Sequence, residues 1–232
     1  MAIEAITFDC AQTLIDVNWQ MGKFAVESAQ AVGLEIPFES GNNYLSLFSQ
    51  RLNPFHEINR TRSRSEVRKF WLQLNRDWLI ELQSDPNLAE SILDISEQMA
   101  YSLPSRLFSL YYDVRPTLES LKKMNFKLAV ISNWDVSLHR VLDLFDLTSF
   151  FDVVIASLEE GIEKPEKELF DIACNRLQVE PCQCFHVGDD LVDDYQGAVN
   201  AGFHSVMIDR CQTISSPPYI HSLLEIQKAI QW

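Results

Sequence analysis

The sequence predicts an α/β fold in which a mostly parallel sheet has helices on both faces, with an inserted domain built of helices alone. From about residue 106 to 208, short apolar runs alternate with helical stretches, a pattern typical of parallel strands joined by right-handed helical crossovers. From residue 17 to 105 the apolar residues follow helical spacing instead. We therefore predict a sheet domain of residues 1–16 and 106–232 and an all-helical domain of residues 17–105.

The first predicted strand is the apolar run of residues 3–8, which leads directly to Asp9. In the helical region, Ser63 and Glu66 fit a capping box at the start of a helix. One apolar face of that helix is formed by Val67, Phe70, Trp71, Leu74 and Trp78. The later elements are predicted helices at 116–123, 135–146, 165–177 and 193–201, and strands at 126–131, 152–156, 184–187 and 204–208.

The composition argues against several classes of function. The chain has 19 Lys and Arg residues against 33 Asp and Glu residues, a formal net charge of −14 at pH 7. This charge disfavours binding to nucleic acid or to an anionic membrane surface. No apolar run approaches the ~18 residues of a membrane span. The N-terminus lacks the basic segment of a signal peptide and the five cysteines are scattered, so we expect free thiols and a cytoplasmic protein.

Polar residues follow the predicted strands, at the sheet edge where ligands bind in folds of this class. They are Asp9, Ser132, Lys164, Asp189, Asp190, Asp193 and Asp194. A carboxylate can attack phosphorus, whereas a lysine and a hydroxyl can hold phosphoryl oxygens. The remaining carboxylates would repel one another without a cation, and oxygen ligands suit Mg²⁺. The set therefore predicts phosphoryl transfer assisted by Mg²⁺.

Four motifs in this order resemble those of the haloacid dehalogenase-like (HAD) hydrolase superfamily. They are Asp9-x-x-x-Thr13-Leu14, Ser132-Asn133, Lys164-Pro165, and Gly188-Asp189-Asp190 through Asp194. The resemblance implies a Rossmann-like catalytic core, and it implies that the helical insertion is the cap domain of the first subfamily, which closes over the site. The runs at 112–116 and 194–197 are similar to a branch that includes HAD-like hydrolase domain-containing protein 3.

The resemblance also implies a role for each matching residue. It implies that Asp9 is the nucleophile and that Ser132 binds the phosphoryl group. It implies that Lys164 bridges the phosphoryl group and Asp9. Thr13 and Asn133 are expected to contact the substrate. Mg²⁺ is expected to bind the side chains of Asp9, Asp189, Asp190 and Asp194 and the backbone carbonyl of Ala11.

Two positions depart from the pattern of the family's phosphatases. Those phosphatases carry a second Asp two residues after the nucleophile, which acts as general acid and base, and here that position is Ala11. The next position, usually a glycine, is Gln12. A methyl group cannot protonate a leaving alkoxide, and such help contributes roughly 10²–10⁴-fold to a rate. We expect a Mg²⁺-dependent phosphatase that forms an aspartyl-phosphate but turns over slowly. The alternatives are a weakly catalytic phosphate-binding protein, a haloacid dehalogenase and a phosphonate hydrolase.

A basic segment from Arg51 to Arg76 lies within the otherwise acidic chain. It includes Arg60 and Arg62, which we expect to receive an anionic substrate. The alternative is that its side chains are solvated or form salt bridges. The expected partner is a small phosphorylated substrate, with no nucleic acid and no membrane, and the chain is expected to be a monomer or a homodimer.

Overall fold

The computed structural model describes residues 2–211, 216 and 218–231. The chain forms two compact units. The sheet unit consists of Met1–Val17 and Ser109–Trp232, and the helical unit of Asn18–Phe108. The corresponding boundaries predicted from the sequence lie after residues 16 and 105.

The strands are β1 (Ala5–Phe8), β2 (Ile15–Val17), β3 (Phe108–Leu110), β4 (Lys127–Ser132), β5 (Val153–Ala156), β6 (Cys184–Gly188), β7 (His204–Ile208) and β8 (Tyr219–Ile220). Within the described residues, six of them form one sheet in the order β5-β4-β1-β6-β7-β8, and β2 and β3 form a separate pair. Neighbouring strands of the larger sheet run parallel. The predicted parallel sheet is confirmed, with β8 as an edge strand that the sequence did not indicate.

β1 lies inside the sheet, between β4 and β6. All residues of β1 and β6 are buried, as expected for parallel strands covered by helices on both faces. Phe8 is level with Val130 on β4 and with Val187 on β6. The carboxyl ends of these three strands therefore meet at one edge, which brings together the residues that follow them.

The helices are α1 (Met21–Ala31), α2 (Ser40–Ser49), α3 (Leu52–Arg60), α4 (Arg64–Glu81), α5 (Ala89–Tyr101), α6 (Val114–Lys123), α7 (Leu138–Leu144), α8 (Ser157–Glu160), α9 (Lys167–Leu177), α10 (Gly197–Ala201) and α11 (Ile226–Ala229). The helix predicted to start at residue 193 differs most from prediction. A π-helical turn, Leu191–Gln196, comes first and α10 follows it. The turn starts early because Asp190 Oδ1 accepts hydrogen bonds from Val192 N and Asp193 N.

The helical unit is organised around the predicted apolar face of α4. Ser63 Oγ accepts a hydrogen bond from Glu66 N (3.3 Å) and so caps the helix. Trp71 of this face is half-buried. The other four residues are buried: Val67, Phe70, Leu74 and Trp78. α1 and α2 approach each other closely at Gly22 and Gly41, where a Cβ on either glycine would lie 2.6 Å from the other's carbonyl oxygen.

The described helices include none that combines the length and the apolar character needed to cross a membrane. Three of the cysteines are buried thiols, Cys10, Cys174 and Cys184, and Cys211 is exposed. The cytoplasmic location stays a prediction.

Candidate active site

The predicted site residues of the sheet unit meet at the carboxyl edge of β1, β4 and β6. Asp9 follows β1, and its N–H donates to Val187 O (2.9 Å). Ser132 is the last residue of β4, and Asp189 follows β6. Lys164 precedes α9, and only 3% of its surface is exposed. Four separate segments of the chain thus bring these polar side chains to one place.

Asp9 is held through one carboxylate oxygen. Ser132 Oγ donates to Asp9 Oδ1 (2.9 Å), and Lys164 Nζ donates to the same oxygen (2.6 Å). Among the described residues, none donates a hydrogen bond to Oδ2 of this carboxylate. The arrangement fixes the orientation of the carboxylate and leaves Oδ2 available for nucleophilic attack.

Lys164 lies between two buried carboxylates. Its Nζ is 2.6 Å from Asp9 Oδ1 and 2.5 Å from Asp194 Oδ1. Burial alone lowers the pKa of a lysine, but here the charges of Asp9 and Asp194 raise the pKa of Lys164 above its ordinary value. The ammonium group is therefore charged at neutral pH.

Asp194 has hydrogen bonds to both of its carboxylate oxygens. Oδ1 contacts Lys164 Nζ and His186 Nε2 (3.2 Å), and Oδ2 accepts from Asp190 N (3.0 Å). Burial raises the pKa of Asp194, but Lys164 and His186 outweigh it and hold that pKa well below its usual range. His186 Nδ1 is 2.8 Å from Thr7 Oγ1, so a neutral imidazole with its proton on Nε2 satisfies both contacts.

Gly188, the last residue of β6, makes room for Asp194. A Cβ at this position would overlap with Cγ and Oδ2 of Asp194. The side chain of Asp194 therefore packs directly against the backbone of the strand that leads to Asp189. The glycine of the fourth motif is needed here for close approach, and its φ angle is not in the left-handed region.

Asp9, Asp189 and Asp194 form a group that could hold a metal ion, since one ligand oxygen from each lies within 4.8 Å of the others. Burial, together with the charges of Asp9 and Asp194, raises the pKa of Asp189 to about 7. Burial likewise raises the pKa of Asp9, although Lys164 opposes this. Three carboxyl groups face one ammonium group, so a hard divalent cation with oxygen ligands fits the charge and the donor atoms.

Asn133 and Thr13, predicted to contact the substrate, make contacts within the protein. Asn133 Oδ1 accepts from Lys164 N (2.8 Å), and its Nδ2 donates to Lys164 O (3.0 Å) and to Asp193 Oδ2 (3.2 Å). Thr13 Oγ1 donates to Asp189 Oδ1 (3.3 Å). These contacts make Asn133 an anchor for the backbone of Lys164 and Thr13 a support for Asp189. Contact of either residue with substrate stays a prediction.

Asp190, Arg60 and Arg62 are the remaining residues with a predicted site role, and Mg²⁺ binding by Asp190 stays a prediction. Asp190 is exposed and caps the following turn through Oδ1, and it is not part of the three-carboxylate group. Its backbone N–H, however, donates to Asp194. Arg60, in the last turn of α3 in the helical unit, pairs with Glu57 (3.1 Å). Arg62 follows that helix, is exposed and has a φ angle of 56°. A substrate-binding role for the two arginines stays a prediction.

The loop after Asp9 is stabilised by its own hydrogen bonds. Leu14 N and Ile15 N both donate to Cys10 O (2.9 Å each), and Gln12 N donates to Ile15 O (2.7 Å). Gln12 has a φ angle of 52°, in the left-handed region that favours glycine. Its side chain donates to Val17 O (3.1 Å) and accepts from Tyr111 Oη (3.0 Å). The methyl group of Ala11 supplies no proton donor or acceptor.

The haloacid dehalogenase-like hydrolase model matches residues 3–202, which is most of the chain. The chain belongs to the haloacid dehalogenase-like hydrolase family. The resemblance inferred from the four motifs is thereby confirmed. This HAD hydrolase is 28% identical over 211 residues to haloacid dehalogenase-like hydrolase domain-containing protein 3 of Bos taurus, a match that covers 90% of this chain and 82% of the relative.

A second relative is named for an enzymatic activity. Glyceraldehyde 3-phosphate phosphatase of Methanopyrus kandleri is 32% identical over 211 residues, and the match covers 90% of this chain and 84% of the relative. Among solved structures, 2-haloacid dehalogenase from Pseudomonas syringae superposes with a TM-score of 0.69 at 23% identity, covering 99% of this chain and 98% of that one. At that identity the likeness supports the fold alone.

Proposed function

We propose that this HAD hydrolase is a phosphatase for a small phosphorylated metabolite and that Asp9 is its nucleophile. The observation that carries the proposal is the pair of contacts on Asp9 Oδ1, from Ser132 and Lys164, which leave Oδ2 without a donor among the described residues. A carboxylate oriented in this way is prepared for attack with its second oxygen. The similarity to a glyceraldehyde 3-phosphate phosphatase supports the class of substrate.

We assign Mg²⁺ to the carboxylates of Asp9, Asp189 and Asp194, with the carbonyl of Ala11 as a further ligand. The all-oxygen donor set and the excess of carboxyl groups over Lys164 support this assignment. When bound, Mg²⁺ offsets the repulsion between the nucleophile and an anionic phosphate and polarises the phosphoryl oxygens. Thr13 supports the site through its bond to Asp189.

The proposed reaction has two steps. Asp9 Oδ2 attacks phosphorus, the bond from phosphorus to the leaving oxygen breaks, and the leaving group departs with that electron pair. Lys164 and Ser132 hold phosphoryl oxygens beside Asp9 and stabilise the charge that develops on them. Water then attacks the phosphorus of the aspartyl-phosphate, the bond to Asp9 breaks, and inorganic phosphate and a free carboxylate result. The proton lost by this water balances the one that the leaving alkoxide takes up from solvent.

Ala11 makes the departure of the leaving group the demanding part of the first step. With no acid at this position, the alkoxide leaves unassisted, so turnover depends strongly on how stable that anion is. We propose that the enzyme is attenuated towards alkyl phosphates for this reason. Aryl phosphates, whose leaving groups are stable anions, avoid much of the cost.

The proposal predicts Mg²⁺-dependent release of phosphate from p-nitrophenyl phosphate. Chelating the metal should abolish turnover, and so should Asp9→Asn, which keeps the shape of the side chain but removes the nucleophilic oxygen. The matched control is Asp171→Asn, because Asp171 pairs with Lys167 on the surface. Full activity in Asp9→Asn would rule out Asp9 as the nucleophile.

A second arm tests the effect of Ala11. Ala11→Asp should raise kcat/KM, which reports the first step, for an alkyl phosphate more than for the aryl phosphate, because general acid help is worth roughly 10²–10⁴-fold where the leaving group is poor. An unchanged ratio of the two kcat/KM values in a folded variant would show that the missing acid does not limit the first step. If the protein binds phosphate in a metal-dependent way but turns over neither substrate, the alternative function as a weakly catalytic phosphate-binding protein is favoured instead.

A further inference from the structure

Arg210 links two parts of the sheet unit that are distant in sequence. It follows β7, and its side chain is largely buried, with 10% exposed. Its Nη1 donates to Asp113 Oδ2 (2.6 Å) and its Nη2 donates to the backbone oxygen of Thr13 (2.5 Å). The guanidinium group also lies over the ring of Tyr111, with Cζ 4.0 Å from the ring centroid. The side chain of Arg210 thus contacts three other residues at once: the side chains of Asp113 and Tyr111 and the backbone of Thr13.

Asp113 fixes the far end of this connection. It is fully buried just before α6, and its Oδ2 also accepts hydrogen bonds from Ser222 Oγ (2.7 Å) and Leu223 N (2.9 Å). The carboxylate therefore ties the start of α6 to the C-terminal segment, and Arg210 extends from there to the loop after Asp9. A buried carboxylate with one charged partner and two neutral donors is a rigid anchor.

The near end of the connection is the loop of residues 10–15. Arg210 restrains this loop directly through its bond to Thr13 O. It also acts indirectly through Tyr111, because the Tyr111 hydroxyl donates to Gln12 Oε1 (3.0 Å). Gln12 occupies the left-handed region, which costs free energy for a residue with a side chain. Its two side-chain hydrogen bonds hold that conformation in place.

We propose that Arg210, anchored by Asp113 and stacked on Tyr111, is a positioning residue that holds the loop of residues 10–15 in the conformation the active site requires. The loop carries the Thr13 hydroxyl, which is 3.3 Å from Asp189 Oδ1, and the Ala11 carbonyl, which the proposed function assigns to Mg²⁺. The effect on turnover and on Mg²⁺ rests on the proposed function. The effect on the conformation of the loop does not.

The test compares Arg210→Lys with the wild type by hydrogen–deuterium exchange. Lysine keeps a charge beside Asp113, but a single ammonium cannot reproduce the forked contacts and the stacking of a guanidinium. We expect faster exchange of the amides of Gln12, Leu14 and Ile15, with exchange in β4 unchanged. Tyr111→Phe, which removes only the hydroxyl bond to Gln12, should speed exchange at Gln12. It is the milder change, so it keeps the proposal testable if Arg210→Lys does not fold. Lys167→Ala, on an exposed pair with Asp171, is the control.

The same variants give the functional readout. Mutation of a residue that orients metal-binding groups typically lowers metal affinity or activity by about 10–100-fold. Arg210→Lys should therefore raise the Mg²⁺ concentration for half-maximal activity about tenfold or more. Loop exchange identical to the wild type in both variants would overturn the proposal, and so would faster exchange spread evenly over the sheet. If the variants alter loop exchange and the wild type itself has no phosphatase activity, the positioning role is supported and the proposed function is rejected.

Discussion

Lys164→Ala should lower the rate of aryl phosphate hydrolysis at least about 100-fold, the loss typical of removing one donor to a transition-state oxygen. It should also lower the free energy of unfolding, by about 3–5 kcal/mol, because it leaves buried charge without its partner. The side chains concerned are nearly inaccessible, at 2% for Lys164, 9% for Asp9 and 3% for Asp194.

Mg²⁺ offers a way to separate the two effects. A cation bound by Asp9, Asp189 and Asp194 replaces part of the lost positive charge, so saturating Mg²⁺ should restore some stability to Lys164→Ala without restoring turnover. Denaturant unfolding with and without Mg²⁺ measures the first quantity, and the steady-state assay measures the second. Lys167→Ala is the control, since its exposed pair with Asp171 is worth about 0.3–0.5 kcal/mol. Equal behaviour of the two variants would contradict the assigned role of Lys164.

Gly188→Ala should inactivate the enzyme although it adds only a methyl group. The new Cβ would overlap with the carboxyl group of Asp194, so either that side chain or the backbone of β6 must move. Asp194 would then lose its placement against Lys164 Nζ, which is 2.5 Å away. A shift of about 1 Å near reacting groups can cost roughly 100-fold in rate, and the overpacking itself costs about 1–3 kcal/mol.

Gly197→Ala provides the comparison. A Cβ there would contact Phe170 and Pro165 at 3.1 Å, which is tight but does not involve the carboxylates. We expect a smaller loss of activity from this variant than from Gly188→Ala, measured as kcat/KM and as the Mg²⁺ concentration for half-maximal activity. If the two variants lost the same activity, the close contact between Gly188 and Asp194 would not be the cause.

The part of the site that was predictable from sequence follows from the topology of a parallel sheet. Asp9 and Asp189 each follow a short apolar strand, and Ser132 is the last residue of another. The carboxyl ends of adjacent parallel strands share an edge. Their proximity therefore needed only the strands and the right-handed crossovers. The four motifs then indicated the chemistry, and the family was confirmed by the match over residues 3–202.

Other features depend on contacts that no local pattern encodes. Asp190 caps a turn rather than joining the three-carboxylate group, because the backbone after it bends back onto Oδ1. Asn133 uses its amide to anchor Lys164, far away in sequence. The connection from Asp113 through Arg210 to Thr13 joins three distant segments. Nothing in the sequence around Arg210 signals it.

The short strands were also beyond prediction. β8 has two residues, and β2 and β3 have three each. Runs of that length carry too little alternation of apolar and polar side chains to be recognised. β8 is fixed instead by hydrogen bonds to β7, such as Asp209 N to Ile220 O (2.8 Å).

The central claim is that Asp9 becomes covalently phosphorylated. Because Ala11 cannot activate the water of the second step, the aspartyl-phosphate formed from a good leaving group should accumulate. The decisive measurement mixes the enzyme with p-nitrophenyl phosphate and Mg²⁺, quenches it in acid and identifies the phosphorylated peptide by mass spectrometry. We expect a burst of one nitrophenol per active site, with the phosphoryl group on Asp9. A burst with the phosphoryl group on any other residue, or steady turnover with an unmodified Asp9 peptide throughout, would contradict it.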